Sequence, residues 1–370
     1  MKRTEISRHC EFIAGVVSEH AEGIGIARLH QALFARGGNI NRRTLQRRLA
    51  RLARDGRISA EGRNSARVYR SRAIAPVHRV EEPGAHYDVE IVHVPVSREG
   101  KEIRAQIRKP LSRRHRVGFD RKFLESYEPG LSRYLPAPVL CRLHEIGRTV
   151  ETGSEGVGIH ARSVLNRLRV DFAWASSRLE GCTYTRPEAE TLMASGKPAP
   201  GRHLLETRMI LNHVAAITML AEKVADLDAF TLQSLHAVLS PEPRRQSMEP
   251  METPGTVLSP PAMPQFIEDS FLLFLEKAVA ISDPFEQAFF VMVQLPYLQP
   301  FASANKSLSR LAANIPLFRH NLCPLSFIDV PGLAYMEGTL GVYELGRVEL
   351  LRDVFVWAYE RSCLRYRARE

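Results

Sequence analysis

The sequence predicts a mainly α protein, in which a small basic module precedes a larger helical body. From about Pro136 onward, apolar residues recur at helical spacing in one stretch after another. Alternation of the β type is confined to short segments before that point. The charge is also placed unevenly: residues 1–79 hold 17 Lys and Arg against 6 Asp and Glu, and residues 80–370 hold 34 against 35. The net charge of +10 therefore resides in the first fifth of a 370-residue chain, a length that suggests two or three domains.

In the basic module, Phe12, Ile13, Val16 and Val17 share one helical face, and Gly23 and Gly25 end that helix. A second helix is expected from Ala27 to Arg36, closed by Gly37 and Gly38. Asn39 or Asn41 can cap a third, Arg42 to Asp55, whose apolar stripe is Leu45, Leu49 and Leu52. At 100° per residue, Arg43, Gln46, Arg47 and Arg54 point away from that stripe. After Gly56, Arg57–Ala60 and Ala66–Tyr69 alternate as two strands around a turn that carries Arg63, with Arg67 on the second strand. Helix, helix, basic helix and two-stranded wing is the order of a winged helix-turn-helix, which lays its third helix in the major groove of DNA. Residues 1–79 are therefore expected to bind DNA through Arg43, Gln46, Arg47, Arg54, Arg63 and Arg67. Arginine suits bidentate contacts to phosphate and guanine. A basic bundle that docks a protein is the alternative.

Residues 80–135 are expected to form a connector. Val80 to Ala85 is acidic with Pro and Gly, and a hairpin is expected from Val89–Val96 and Glu102–Ile107 around Arg98-Glu-Gly100. Helices are then expected at 138–148, 162–179, 186–194, 203–224, 232–239, 263–281, 284–297, 307–318 and 347–366. Pro241 to Pro264 holds seven prolines and is expected to be an ordered loop with a short extended piece at Thr256–Ser259. Trp174, Phe285, Phe289 and Phe290 are expected in the core, and His236 and His320 are expected to be structural.

Several function classes fall away. No apolar run approaches the roughly 20 residues that span a bilayer. The opening MKRTEISRHCEF lacks the apolar core of a secretory signal, so a cytoplasmic location is expected. Five scattered cysteines without CxxC argue against a disulfide scaffold or a cysteine zinc site. There is no GxxxxGK[ST] and no internal repeat.

Two segments carry chemistry. Leu298-Gln-Pro-Phe-Ala-Ser-Ala-Asn-Lys-Ser-Leu-Ser-Arg310 runs as a loop into a helix start, which offers backbone amides, Lys306 and Arg310 to an anion. Ser176-Ser-Arg-Leu-Glu180-Gly181 closes another helix on a glycine. Together and in this order they resemble the Fic/Fido family. Gln299–Arg310 is in register with its signature HPFx[DE]GN[GK]RxxR, agreeing at Pro300, Phe301, Asn305, Lys306 and Arg310. Ser176–Gly181 resembles the inhibitory motif [ST]xxxE[GN] of members whose inhibitory helix precedes the core. The resemblance covers roughly residues 136–370 and implies a Fido helical core with a small β-flap within 241–264. A winged helix joined to such a core is an arrangement that the family uses.

The resemblance implies that a histidine base, a metal-holding carboxylate and two arginines transfer AMP from ATP to a Ser, Thr or Tyr hydroxyl. The inhibitory glutamate would pair with the second arginine. This chain departs from that pattern. Gln299 stands at the base position, and losing a positioned base costs roughly 10²- to 10⁴-fold. Ser303 stands at the metal carboxylate, Ser307 at the first arginine, and Ala304 at a phosphate-facing glycine. Ala304, Asn305, Lys306 and Arg310 remain as a nucleotide-binding set, with Ser176, Glu180 and Gly181 regulatory. Glu180 with Arg310 is either a structural ion pair or a regulatory contact. The expected protein is a DNA-binding regulator with a degenerate Fic/Fido domain that binds ATP weakly, with little help from Mg²⁺ and no resident metal. The alternative is a Fic-type protein adenylyltransferase or related transferase with a Gln-variant motif. A protein partner at the flap, 241–264, and a homodimer are further expectations; a membrane partner is not.

Overall fold

The computed structural model describes residues 12–13, 16–17, 20, 23–35, 41–54, 58–61, 68–71, 93–148, 159–222, 225–240, 256, 258–259 and 263–367. The chain divides into two compact units, Met1–Asp88 and Val89–Glu370. As expected, the fold is mainly α with little strand.

In the first unit, Ile13, Val16 and Val17 are helical and buried. Strand β1 (Ile24–Gly25) leads into α1 (Ile26–Ala35), and α2 (Arg42–Arg54) follows. Of the two candidate caps for α2, Asn41 has the geometry, accepting the Thr44 amide at 2.9 Å. Leu45, Leu49 and Leu52 are buried, which leaves Arg43, Gln46 and Arg47 exposed on the opposite face. Strands β2 (Ile58–Glu61) and β3 (Val68–Ser71) pair antiparallel and lie one or two residues later than the sequence pattern suggests. Strand β1 adds to the far edge of β3, giving the order β1-β3-β2. Arg63 and Arg67 and the side chain of Arg54 lie outside the described residues.

The second unit begins with a correction. Among the described residues the hairpin expected from Val89–Val96 and Glu102–Ile107 does not form, because Arg98–Ile107 is helix α3. Gly100 reads as a turn residue in sequence, yet it stands in the first turn of α3. Ser97 caps that turn, its Oγ accepting the Gly100 amide at 3.1 Å. The Ser97 amide and hydroxyl both donate to Asp353 Oδ2. A Cβ on Gly100 would meet that same oxygen at 2.5 Å, so the glycine serves close packing. Ile103 and Ile107, one turn apart, then bury against Leu340 and Leu350.

Strand β4 (Val117–Gly118) and α4 (Arg121–Glu125) precede the helical body. That body comprises α5 (Ala137–Gly147), α6 (Ile159–Leu179), α7 (Arg186–Ser195), α8 (Leu204–Glu222), α9 (Ala229–Leu239), α10 (Pro264–Ala280), α11 (Pro284–Leu298), α12 (Asn305–Ala312), α13 (Asn314–Arg319), α14 (Gly332–Leu345) and α15 (Glu349–Arg367). Strand β5 (Leu258–Ser259) lies within the extended piece expected at Thr256–Ser259 and pairs parallel with β4. Helix α11 is the axis of the body. Glu286 is the only charged residue among its fifteen, all but Gln287 are buried, and both large apolar clusters draw on it. The Glu286 carboxylate accepts bonds from the Tyr127 hydroxyl and the Tyr134 and Leu135 amides. No helix among the described residues is long and apolar enough to cross a membrane.

The helix expected over 307–318 starts earlier, at Asn305, and divides at Ala313. Helix α14 has no counterpart among the expected helices, because Gly332, Gly338 and Gly341 interrupt its apolar pattern. Packing requires the last two. A Cβ on Gly338 would stand 2.9 Å from the Leu351 backbone Cα, and one on Gly341 2.7 Å from Ile103. Gly338→Ala gains up to about 1 kcal/mol of helix propensity but forces α14 from α15, an overpacking cost of about 1–3 kcal/mol. Thermal melting should show a net fall of a few degrees, whereas Gly332→Ala, with open space around it, should leave the midpoint in place.

Candidate functional site

The two sequence motifs meet. Helix α11 ends at Leu298, and Gln299 turns left-handed at φ 50°. The loop re-enters helix at Ala304, also left-handed at φ 59°, a conformation costing a non-glycine residue about 1–2 kcal/mol. The chain therefore keeps a glycine-type backbone where it carries alanine. Two contacts hold the loop in this form. Asn305 bonds Phe301 both ways, accepting its amide at 3.1 Å and donating to its carbonyl at 2.7 Å. His236, from α9, stacks on Phe301 at 4.2 Å and 12° and donates from Nε2 to the Ser303 carbonyl at 3.2 Å. Because a carbonyl only accepts, this bond places the proton on Nε2.

Arg310 lies one turn and a half into α12 and is fully buried. All three of its nitrogens are engaged: Nε with Ser176 Oγ (3.0 Å), Nη1 with the Tyr335 hydroxyl (3.1 Å), and Nη2 with the Ser176 carbonyl (3.1 Å), Ser307 Oγ (3.1 Å) and Glu180 Oε1 (2.7 Å). Ser176 and Glu180 come from the end of α6, where Gly181 at φ 93° closes the helix. Glu180 also accepts from the Ser307 hydroxyl (3.2 Å) and pairs with Lys306 Nζ (3.3 Å). Burial pushes the Glu180 carboxyl up, but the charges of Arg310 and Lys306 and the Arg310 hydrogen bond outweigh it and hold it at about 2. Behind it, His213 is buried on α8, bonded to the Met209 carbonyl and to Ser177. Burial lowers its imidazole to about 4, so it is neutral at pH 7.

The site thus joins Ser176 and Glu180 with Ser307, Lys306 and Arg310, and leaves Gln299, Ser303 and Ala304 on the adjoining loop. Tyr335, His213 and His236 belong to the same neighbourhood and were not among the residues that the sequence singled out as functional. Tyr335 lies on α14, whose helicity is masked by glycine, and nothing in the local pattern around His213 or His236 points to the loop. An Mg²⁺ does not fit the donors present: Gln299–Arg310 contains no carboxylate, and Glu180 is neutralised by two cations. Among the described residues there is no group of three or more His, Cys, Asp or Glu that could hold a metal.

A model of the Fic/DOC family matches residues 226–317, a span that contains α9 to α12 and the whole Gln299–Arg310 segment. The chain carries a Fic domain there. Among solved structures it is similar to Fic-1 from C. elegans, 16% identical over 68% of this chain and 72% of that one, with a TM-score of 0.47. A Fic domain containing signaling protein from Bacteroides thetaiotaomicron VPI-5482 is 15% identical over 62% and 95%, with a TM-score of 0.47. A Fic family protein from Desulfovibrio desulfuricans G20 is 14% identical over 66% and 77%, with a TM-score of 0.45. No curated protein matches.

Glu180→Gln removes a charge from a buried cation, and hydrogen bonds to charged groups contribute about 1.5–3 kcal/mol. The variant should unfold at lower denaturant at pH 7. The folded-state carboxyl lies below its ordinary value, so its contribution is present above about pH 4.5 and is lost as pH falls toward 2. Denaturant titrations of both proteins should therefore converge over that window.

Proposed function

We propose that this protein is a DNA-binding regulator whose Fic domain keeps an anion-binding frame and has lost transfer chemistry. The observation that carries this reading is the Arg310 cluster. The one arginine of the motif is sealed by Glu180, and the loop beside it offers a neutral amide at 299 and neutral hydroxyls at 303 and 307. A carboxamide takes no proton from a target hydroxyl near pH 7, and the loop holds no charge for a metal. What remains is a helix start with Lys306 beside it, worth about 0.3–1 kcal/mol to an exposed anion and more in a partly buried pocket. Glu180 occupies the guanidinium that a terminal phosphate would need. ATP binding is accordingly weak, and Glu180 is regulatory in the sense that its removal uncovers Arg310. In calorimetric titrations Glu180→Gly should tighten ATP more than ADP, and Arg310→Ala should abolish the difference. Equal ATP affinity in wild type and Glu180→Gly would defeat the regulatory role.

The DNA-binding part rests on the first unit. What supports it is the order of α1, α2 and the β2–β3 pair, and an exposed face of α2 bearing Arg43, Gln46 and Arg47 opposite a leucine stripe. In this reading α2 enters the major groove, while Arg54, Arg63 and Arg67 extend the basic surface. A cytoplasmic location, a protein partner at 241–264 and a homodimer belong to the same proposal. Arg43→Ala with Arg47→Ala in the full chain should weaken duplex binding at least about tenfold. Log affinity should also fall less steeply with log salt, by about 0.9 for each phosphate that the variant no longer neutralises. Unchanged affinity in the double variant would remove α2 from the interface.

A further inference from the structure

At the other end of α11 from the motif loop, a cavity of about 620 Å³ opens between α5, the 127–133 segment and the turn entering α11. It lies in the size range of small-molecule sites. Helix α11 has fifteen residues, so about 22 Å of helix axis separates this cavity from Gln299. No residue of Ser176–Gly181 or Gln299–Arg310 lines it.

Its polar groups fall into two sets. Of the three carboxylates that line it, Asp283 and Glu286 are already engaged, and Glu145 is exposed on α5. Asp283 caps α11, with Oδ1 accepting the Phe285 and Glu286 amides, and its Oδ2 lies 2.7 Å from His144 Nε2. Glu286 accepts the three bonds described above. The Asp283 contact and an edge-on packing against Phe285, at 4.9 Å and 84°, fix the His144 ring and leave Nδ1 as its second hydrogen-bonding atom. Arg133 and Arg148, by contrast, line the cavity without an ion-pair partner among the described residues. The remaining wall is apolar at Leu140 and Ile281.

We propose that this cavity is a second ligand site, for a small organic anion with an apolar body. Its carboxylate or phosphate meets Arg133 and Arg148, and its body lies on Leu140 and Ile281. The proposal is independent of the Fic motif. Guanidinium forks recognise carboxylate and phosphate alike, so the two sources of negative charge share one chemistry.

Cys141 lines the cavity and is exposed, whereas Cys182, Cys323 and Cys363 are buried, so its alkylation reports occupancy. The experiment follows iodoacetamide modification of the Cys141 peptide by mass spectrometry on the full chain, with phenyl phosphate, benzoate, inorganic phosphate and benzyl alcohol as probes. Saturable slowing by phenyl phosphate, benzoate or both is expected, and the difference between them identifies the preferred anion. Inorganic phosphate and benzyl alcohol, each carrying only half of the required chemistry, should protect at least tenfold less well. Arg133→Ala with Arg148→Ala should abolish saturable protection, a loss of tenfold or more in affinity. Glu180→Gly should leave it unchanged. Both double-variant side chains are exposed, and a wild-type melting curve confirms that the fold survives. Absence of protection at 10-millimolar order by either aromatic anion, protection unchanged in the arginine variant, or equal protection by inorganic phosphate would overturn the proposal.

Discussion

The buried guanidinium of Arg310 constrains everything around it. A charge removed from water is tolerated only when paired and hydrogen-bonded, and here the partners come from three elements: Ser176 and Glu180 from α6, Ser307 from α12 itself, and Tyr335 from α14. Meeting that requirement fixes the end of α6 against the start of α12. It also ties the loop to the core, because the left-handed turns at Gln299 and Ala304 persist only when surrounding contacts over-determine them. Asn305 and His236 supply those contacts from the start of α12 and from α9.

The side chains around the loop are coherent with this constraint. Ser307 is short enough to sit beneath Glu180 and donate to it while accepting from Arg310, so the inward face of α12 carries one arginine and a hydroxyl. Lys306 completes the neutralisation of Glu180 from the more exposed side. The result is an electrostatically closed cluster with one carboxylate and two cations, in which the carboxylate stays ionised down to strongly acidic pH. Such a cluster stabilises the fold and lowers the field available to a phosphate at the same time.

Much of this was legible in the sequence. Helices whose apolar stripe is unbroken, such as α2 with Leu45, Leu49 and Leu52 or α11 with its phenylalanines, stand where periodicity places them. The meeting of the two motifs was legible only through the resemblance to the Fic/Fido family, which implied that Glu180 reaches Arg310. The failures have one physical origin. Gly100, Gly338 and Gly341 look like turn or breaker residues, yet each lies in a helix where a neighbouring side chain or backbone leaves no room for a Cβ. A single sequence carries the glycine but not the neighbour that demands it. Tyr335, His213 and His236 escaped for a related reason, since they reach the site by tertiary packing from elements remote in the chain.

The central claim is that the site retains its frame without its chemistry. The most direct measurement uses Glu180→Gly, in which the seal on Arg310 is gone, incubated with α-phosphate-labelled ATP, Mg²⁺ and a cell lysate. With Gln299 and Ser303 in place, no protein should acquire label above background, in the lysate or on the chain itself. Robust transfer of label by the variant, or by wild type, would contradict the account and establish a working transferase built on a glutamine.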